Sequence, residues 1–201
     1  MLMNKLLVVI SCLIVLTACN GPRLNTLPAD AVILAFGDSL TSGVGAHKSK
    51  SYPAVLAQLT GLQVINAGIA GETTAQGLGR LSQVLDQSSP DLVILIEGGN
   101  DILRGLNLAQ AKSDLRDMAM LIKQRNIDLV LIGVPKKSLF LSVHPMYEEL
   151  ATELDLVFDD KLLVELQGTA ALKSDIVHFN EMGYQKMAES IYAVLQERGA
   201  L

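Results

Sequence analysis

The sequence contains only two cysteines, Cys12 and Cys19, and both precede residue 20. The remainder of the chain therefore has no thiol that could form a disulfide. Runs of lysine or arginine are also lacking and the formal net charge is −5, which argues against binding to nucleic acid. No histidine pair and no His/Cys cluster has the spacing of metal ligands, so no metal site is predicted. The 201 residues contain no internal repeat and suit one domain.

The N-terminus has the pattern of a secretory signal. Lys5 precedes an apolar run over 6–16, which is short for a membrane-spanning helix. The run ends in Leu-Thr-Ala-Cys at Cys19, which resembles the lipobox of bacterial lipoproteins, where cleavage leaves the cysteine first and lipidated. We therefore predict a signal peptide over 1–18 and lipidation at Cys19. The alternative is an ordinary signal peptide with an incidental cysteine.

Residues 19–30 are predicted to form the lipidated N-terminus and a short tether, because 20–30 is polar and contains two prolines. Acyl chains on the cysteine would attach the protein to a membrane, each buried methylene contributing about 0.8 kcal/mol. The expected location is the periplasm-facing side of a bacterial cell envelope. Asn20 after the cysteine favours the outer membrane over the inner one.

The rest of the chain, 31–201, alternates apolar runs with helical patterns. The runs are continuous rather than alternating, as expected for parallel strands covered on both faces. They lie at 31–36, 62–67, 91–97, 127–134 and 154–158. The amphipathic patterns lie at 50–59, 74–86, 108–124, 142–154 and 180–198. This order predicts an α/β fold, a three-layer α/β/α sandwich around a five-stranded parallel sheet.

Sites in such sheets lie outside the carboxyl ends of the strands, and polar loops follow the first three predicted strands. These loops are 37–40, 66–74 and 98–101, and a fourth polar loop, 174–180, precedes the last helix. The first three must share one edge of the sheet. The fourth reaches the same edge if the last helix packs against the sheet.

Together these loops supply each part of a serine hydrolase site. Ser39 is the candidate nucleophile, His178 the base, and Asp175, three residues earlier, the group that orients the imidazole. The candidate oxyanion donors are the backbone N–H groups of Ser39 and Gly71 and the side-chain amide of Asn100.

Each residue also has a plain structural interpretation. Ser39 alone is more typical of a helix cap, Gly71 of a turn, and Asn100 of a left-handed turn residue. We interpret Asp38 and Glu97 as groups that support the site without reacting. If the site were not catalytic, a purely structural explanation would have to hold independently at all four loops. Because that coincidence is less expected than any single explanation, the set of four favours the catalytic interpretation.

The four blocks "FGDSLTSG", "NAGIAGETT", "GGND" and "DIVHFN" resemble, in order, those of the SGNH (GDSL) hydrolases. Ser39, Gly71, Asn100 and His178 occupy the four positions that name the family, and Asp175 occupies its acid position. The similarity runs from about residue 31 to the C-terminus. The stretches "YPAVLAQLTG", "TTAQGLGRL" and "GGNDILRGL" resemble the bacterial branch of secreted thioesterases, lysophospholipases and arylesterases. This resemblance implies their α/β/α sandwich and no metal or organic cofactor.

One residue departs from that branch, since Phe179 follows the histidine where proline is usual. We expect a shifted loop, with Phe179 at the acyl pocket. Leu103 and Leu106 are also candidates to shape an acyl channel, although they fit a core position equally well.

The resemblance implies an ester hydrolase that acts on small acyl esters, lysophospholipids or thioesters, expected as a monomer. Two alternatives remain. One is a carbohydrate O-deacetylase or acetylesterase of the same family. The other is an envelope lipoprotein that keeps the fold and binds without catalysis.

Overall fold

A computed structural model describes residues 21–136, 138 and 141–201. The predicted signal peptide and the lipidation at Cys19 therefore lie outside the described residues. Within the described part of the chain, no helix is both long enough and apolar enough to cross a membrane.

The centre of the molecule is a parallel sheet with the strand order β2-β1-β3-β4-β5. The strands are β1 (Val32–Gly37), β2 (Gln63–Gly68), β3 (Leu92–Ile96), β4 (Asp128–Ile132) and β5 (Val157–Asp159). Every residue of β3 is buried, since helices cover the sheet on both faces. The predicted five-stranded α/β fold is confirmed.

Within the described residues, eight α-helices connect and cover the strands. They are α1 (Ser39–Ser42), α2 (Tyr52–Thr60), α3 (Thr74–Ser88), α4 (Gly99–Arg104), α5 (Leu108–Gln124), α6 (Pro145–Leu154), α7 (Leu162–Gln167) and α8 (Glu181–Arg198). α2 packs against α8 in one layer, while α3, α5 and α6 form the other. The five longer helices match the predicted patterns. The short helices α1, α4 and α7 were not predicted, and each follows the carboxyl end of a strand.

The strand order creates an open crevice at one edge of the sheet. From β1 the chain moves outward to β2, and then returns past β1 to β3 on its other side. The connections after β1 and β3 therefore leave in opposite directions, which is where open α/β sheets bind ligands. Loops 37–40 and 98–101 flank this crevice.

The predicted tether differs from the observed structure, because part of it is docked on the domain. Leu24 N–H donates to Arg198 C=O over 3.0 Å and Leu27 N–H donates to Ala200 C=O over 2.9 Å. Asn25 binds the carboxylate of Asp128, at the start of β4, through both its backbone and its side chain. Leu24 is 9% exposed and belongs to the core. We call residues 24–27 the N-terminal strap; it lies at the amino ends of the strands.

Leu24→Ala should lower the free energy of unfolding by about 2 kcal/mol, because it removes a buried side chain from the core. Urea unfolding measures the loss. The matched control is Leu59→Ala on α2, where the side chain is 38% exposed and the expected loss is smaller. Equal losses for the two variants would contradict a docked strap.

Candidate active site

Ser39 stands where β1 gives way to α1. Asp38, not Ser39, caps this helix, since its carboxylate oxygen Oδ1 accepts the N–H of Leu40 over 3.0 Å. Capping therefore does not account for the Ser39 side chain. Its hydroxyl instead meets the imidazole of His178, with 3.0 Å between Oγ and Nε2.

Asp175 holds both the side chain and the backbone of His178. One carboxylate oxygen of Asp175 lies 2.7 Å from His178 Nδ1, and the other accepts the N–H groups of Val177 and His178 over 2.8 Å each. These hydrogen bonds lower the pKa of Asp175 to about 2, so its carboxylate is ionised at neutral pH. An ionised Asp175 favours the tautomer with the proton on Nδ1, which leaves Nε2 free to accept the Ser39 proton.

The loop that carries His178 reaches this edge because it is fixed on both sides. Phe179 forms a β-bridge with Lys173 and is fully buried, packing edge-on against Tyr184 of α8 with ring centroids 5.7 Å apart. On the other side, Gly45 adopts φ +96°, and a Cβ there would lie 2.1 Å from Ser174 Oγ. The prediction that Phe179 lines the acyl pocket is wrong, because its ring is used to anchor the loop.

A cavity of about 480 Å³ opens beside the Ser39–His178 pair. Its lining is mainly aliphatic: Leu40, Val44, Ala70, Ile102, Leu103, Val134, Pro135, Leu141, Leu163, Ile176 and Val177. Polar and charged members are few, and Lys136 and Gln167 are those outside the predicted site loops. The cavity therefore suits an apolar group attached to a polar centre at Ser39.

Only part of this lining was predicted from the sequence. Leu103 lines the cavity as predicted, whereas Leu106 follows α4 and is not among the lining residues. Sequence reasoning missed Ile176 and Val177, although they lie between Asp175 and His178 in a loop already singled out. It also missed α7, whose Leu163 lines the cavity and whose Gln167 donates to Val177 C=O.

The candidate oxyanion donors meet at the same cavity. Gly71, Asn100 and Ser39 all line it. Among the described residues, neither the Ser39 N–H nor the Gly71 N–H has a hydrogen-bond acceptor. Asn100 is engaged: Nδ2 donates to Glu72 C=O over 2.8 Å and to Asp38 Oδ2 over 3.3 Å.

Comparisons with known proteins identify the family of this chain. The model of the GDSL-like lipase/acylhydrolase family matches residues 35–186, which include every residue of the candidate site. The chain belongs to this family.

Curated relatives of this family member include an arylesterase of Vibrio mimicus, 39% identical over 53% of this chain and 56% of the relative. Another is thioesterase 1/protease 1/lysophospholipase L1 of Escherichia coli K12, 36% identical over 51% of this chain and 50% of the relative. The match thus spans about half the length of these relatives. Among solved structures, AlinE4, an SGNH-hydrolase family esterase, is 31% identical with a TM-score of 0.65, over 86% of this chain and 98% of that one.

Beneath the site of this GDSL family member lies a cluster of buried acids: Asp38, Glu72 and Glu97. Glu72 forms an ion pair with Arg80. Glu97 is fully buried, and within the described part of the chain its Oε1 has no hydrogen-bond partner. Burial raises the pKa of Glu97 well above its usual range, with Asp38 and Glu72 adding to the rise. Burial likewise raises the pKa of Asp38 to about 6. Asp38 lines the cavity and binds the Asn100 amide, whereas Glu97 is not among the lining residues. Their supporting roles stay predictions.

The raised pKa of Asp38 makes the fold less stable as pH rises. The unfolded chain releases this proton near pH 4 and the folded chain near pH 6. The free energy of unfolding therefore falls by about 3 kcal/mol as the pH rises through that window. Asp38→Asn lacks this titrating group. Its free energy of unfolding should therefore fall by about 2–3 kcal/mol less than that of the wild type between pH 4 and pH 7, measured by urea unfolding at both values. Asp160→Asn, at an exposed carboxylate, is the control and should follow the wild-type profile. Parallel pH profiles for Asp38→Asn and wild type would contradict a buried, late-titrating Asp38.

Proposed function

We propose that the protein is a serine-dependent carboxylic ester hydrolase for fatty-acyl esters, including aryl esters, lysophospholipids and thioesters. The observation that carries the proposal is the hydrogen-bonded series Asp175–His178–Ser39, with distances of 2.7 and 3.0 Å, at the mouth of an aliphatic cavity. The printed names of its relatives, arylesterase and thioesterase/lysophospholipase, support the same substrate classes.

In the proposed reaction, Ser39 Oγ attacks the acyl carbonyl carbon while His178 Nε2 takes the hydroxyl proton. The carbonyl oxygen becomes an oxyanion and accepts hydrogen bonds from Ser39 N–H, Gly71 N–H and the Asn100 amide. His178 then gives its proton to the leaving alcohol or thiol, which departs as the carbonyl re-forms. A water molecule, deprotonated by the same imidazole, attacks the acyl-enzyme and releases the carboxylic acid and Ser39.

Ser39→Ala should lower kcat for p-nitrophenyl octanoate by at least about 1000-fold, since no nucleophile remains. Asp175→Asn should lower kcat by about 100-fold or more, because an amide no longer fixes the tautomer. The assay uses purified protein from residue 21 onward, which keeps the strap. Ser49→Ala, in the exposed turn over 48–50, is the matched control and should keep the wild-type rate.

A Ser39→Ala variant that retains a tenth of the wild-type rate would refute this mechanism. Labelling with a fluorophosphonate separates catalysis from mere binding, because only an activated serine reacts. Absence of labelling at Ser39 would favour the non-catalytic lipoprotein. The acyl chain length separates the other alternative: the aliphatic cavity should give octanoate a higher kcat/KM than acetate, whereas an O-deacetylase would prefer acetate.

We further propose that Cys19 is lipidated and anchors the enzyme on the periplasmic side of a bacterial membrane, the outer one favoured by Asn20. The lipobox sequence supports this location. Wild-type protein expressed from the full chain should require detergent for extraction, whereas Cys19→Ser should appear in the soluble periplasmic fraction. Cys12→Ser is the control and should remain with the membrane. A Cys19→Ser variant that still needs detergent would contradict the lipid anchor.

A further inference from the structure

Gly71 lies at the third position of a tight turn between β2 and α3. Glu72 N–H donates to Ile69 C=O over 3.2 Å, which closes a four-residue turn with Ala70 and Gly71 at its centre. Gly71 has φ +81°, whereas Ala70 is not among the residues with positive φ, the pattern of a type II turn. Glycine is the residue with the greatest backbone freedom, so the direction of the Gly71 N–H depends on contacts from outside the turn.

Two side chains of α4 supply such contacts. Arg104 Nη2 donates to Gly71 C=O over 2.8 Å, and Asn100 Nδ2 donates to Glu72 C=O over 2.8 Å. Asn100 and Arg104 are four residues apart, so they project from the same side of the helix. The carbonyl groups of Gly71 and Glu72 are therefore both held by α4.

Arg104 makes one side-chain hydrogen bond within the described residues, the bond to Gly71. Its side chain forms no ion pair with any carboxylate of the described residues, and the Gly71 carbonyl is its hydrogen-bond acceptor there. A Cβ added at Gly71 would lie 3.3 Å from the same Nη2 atom, which shows how closely the guanidinium approaches this residue. Hydrogen bonds from a charged donor are stronger than neutral ones.

We propose that Arg104 is a positioning residue for the oxyanion donor Gly71. By holding the Gly71 carbonyl, the guanidinium ties the Gly71–Glu72 peptide to α4 and so holds the turn in place. The adjoining Ala70–Gly71 peptide, which carries the Gly71 N–H, then keeps its direction toward the carbonyl oxygen of the substrate. The role rests on the ester hydrolysis proposed above. It concerns the transition state, because the negative charge that this N–H meets develops only there.

Arg104→Gln should lower kcat for a neutral ester, p-nitrophenyl octanoate, by about 10-fold while KM changes by less than about twofold. Arg104→Lys should recover part of the loss, because an ammonium group also donates to a carbonyl. The matched control is Arg116→Gln on α5, where the guanidinium pairs with Glu153 of α6; it should leave both constants unchanged. Thermal unfolding of each variant checks that the fold is intact.

A second measurement separates positioning from substrate recognition. Phosphonylation of Ser39 by a fluorophosphonate also places negative charge on an oxygen in the oxyanion site, so its rate should fall with kcat in Arg104→Gln. The affinity for octanamide, a neutral amide on which no negative charge develops, should stay within about twofold of wild type.

Two results would overturn the role of Arg104. One is a wild-type kcat in Arg104→Gln. The other is a raised KM at unchanged kcat, seen only with esters whose alcohol part carries a negative charge. That result would make Arg104 a substrate-binding residue. Failure of the proposed function would give a different result. Ser39→Ala would then hydrolyse the ester at the wild-type rate, both with Arg104 and with Gln at position 104.

Discussion

The hydrogen bond between Ser39 and His178 joins residues that are 139 positions apart, and most of the fold serves to hold its two ends together. One end is rigid because β1 is paired on both sides by parallel strands. The other end is a loop, and a loop places an imidazole to within tenths of an ångström only when its own backbone is fixed. Asp175 fixes it from within through two backbone N–H groups, and Phe179 fixes it from below by packing on α8. The same carboxylate that binds the His178 imidazole thus also shapes the loop that carries it.

The site is built over groups that disfavour folding. Asp38 and Glu97 are buried acids whose raised pKa values reflect the cost of removing a carboxylate from water. In the part of the chain that the structure describes, Glu97 Oε1 has no hydrogen-bond partner. Asp38 caps α1, which begins at Ser39, and also accepts the Asn100 amide, so a single carboxylate links the connections that follow β1 and β3. An apolar residue at 38 could do neither. Functional sites commonly retain such locally unfavourable groups, and the buried core of the sheet compensates for them.

How much the sequence predicts depends on whether a feature is encoded locally. Continuous apolar runs and helical stripes located all five strands and the five long helices, since burial on both faces of a sheet leaves that pattern in any context. The helices α1, α4 and α7 are too short to leave a periodic stripe. Phe179 was misplaced because whether an aromatic ring faces a cavity or a helix is decided by a partner, Tyr184, that no local pattern reveals. The strap was misinterpreted for the same reason, because its backbone bonds go to carbonyls at the end of α8, which any sequence provides, and Asn25 binds the distant Asp128.

The parallel sheet also separates the two ends of the molecule by task. The strap crosses the amino ends of the strands, whereas Ser39, Gly71 and Asn100 follow their carboxyl ends, about 15–20 Å away along strands of five or six residues. Four residues separate Cys19 from Leu24, and the intervening chain can extend by at most about 18 Å. The chain that leads from residue 19 therefore joins the domain at the end of the sheet opposite to Ser39 and His178.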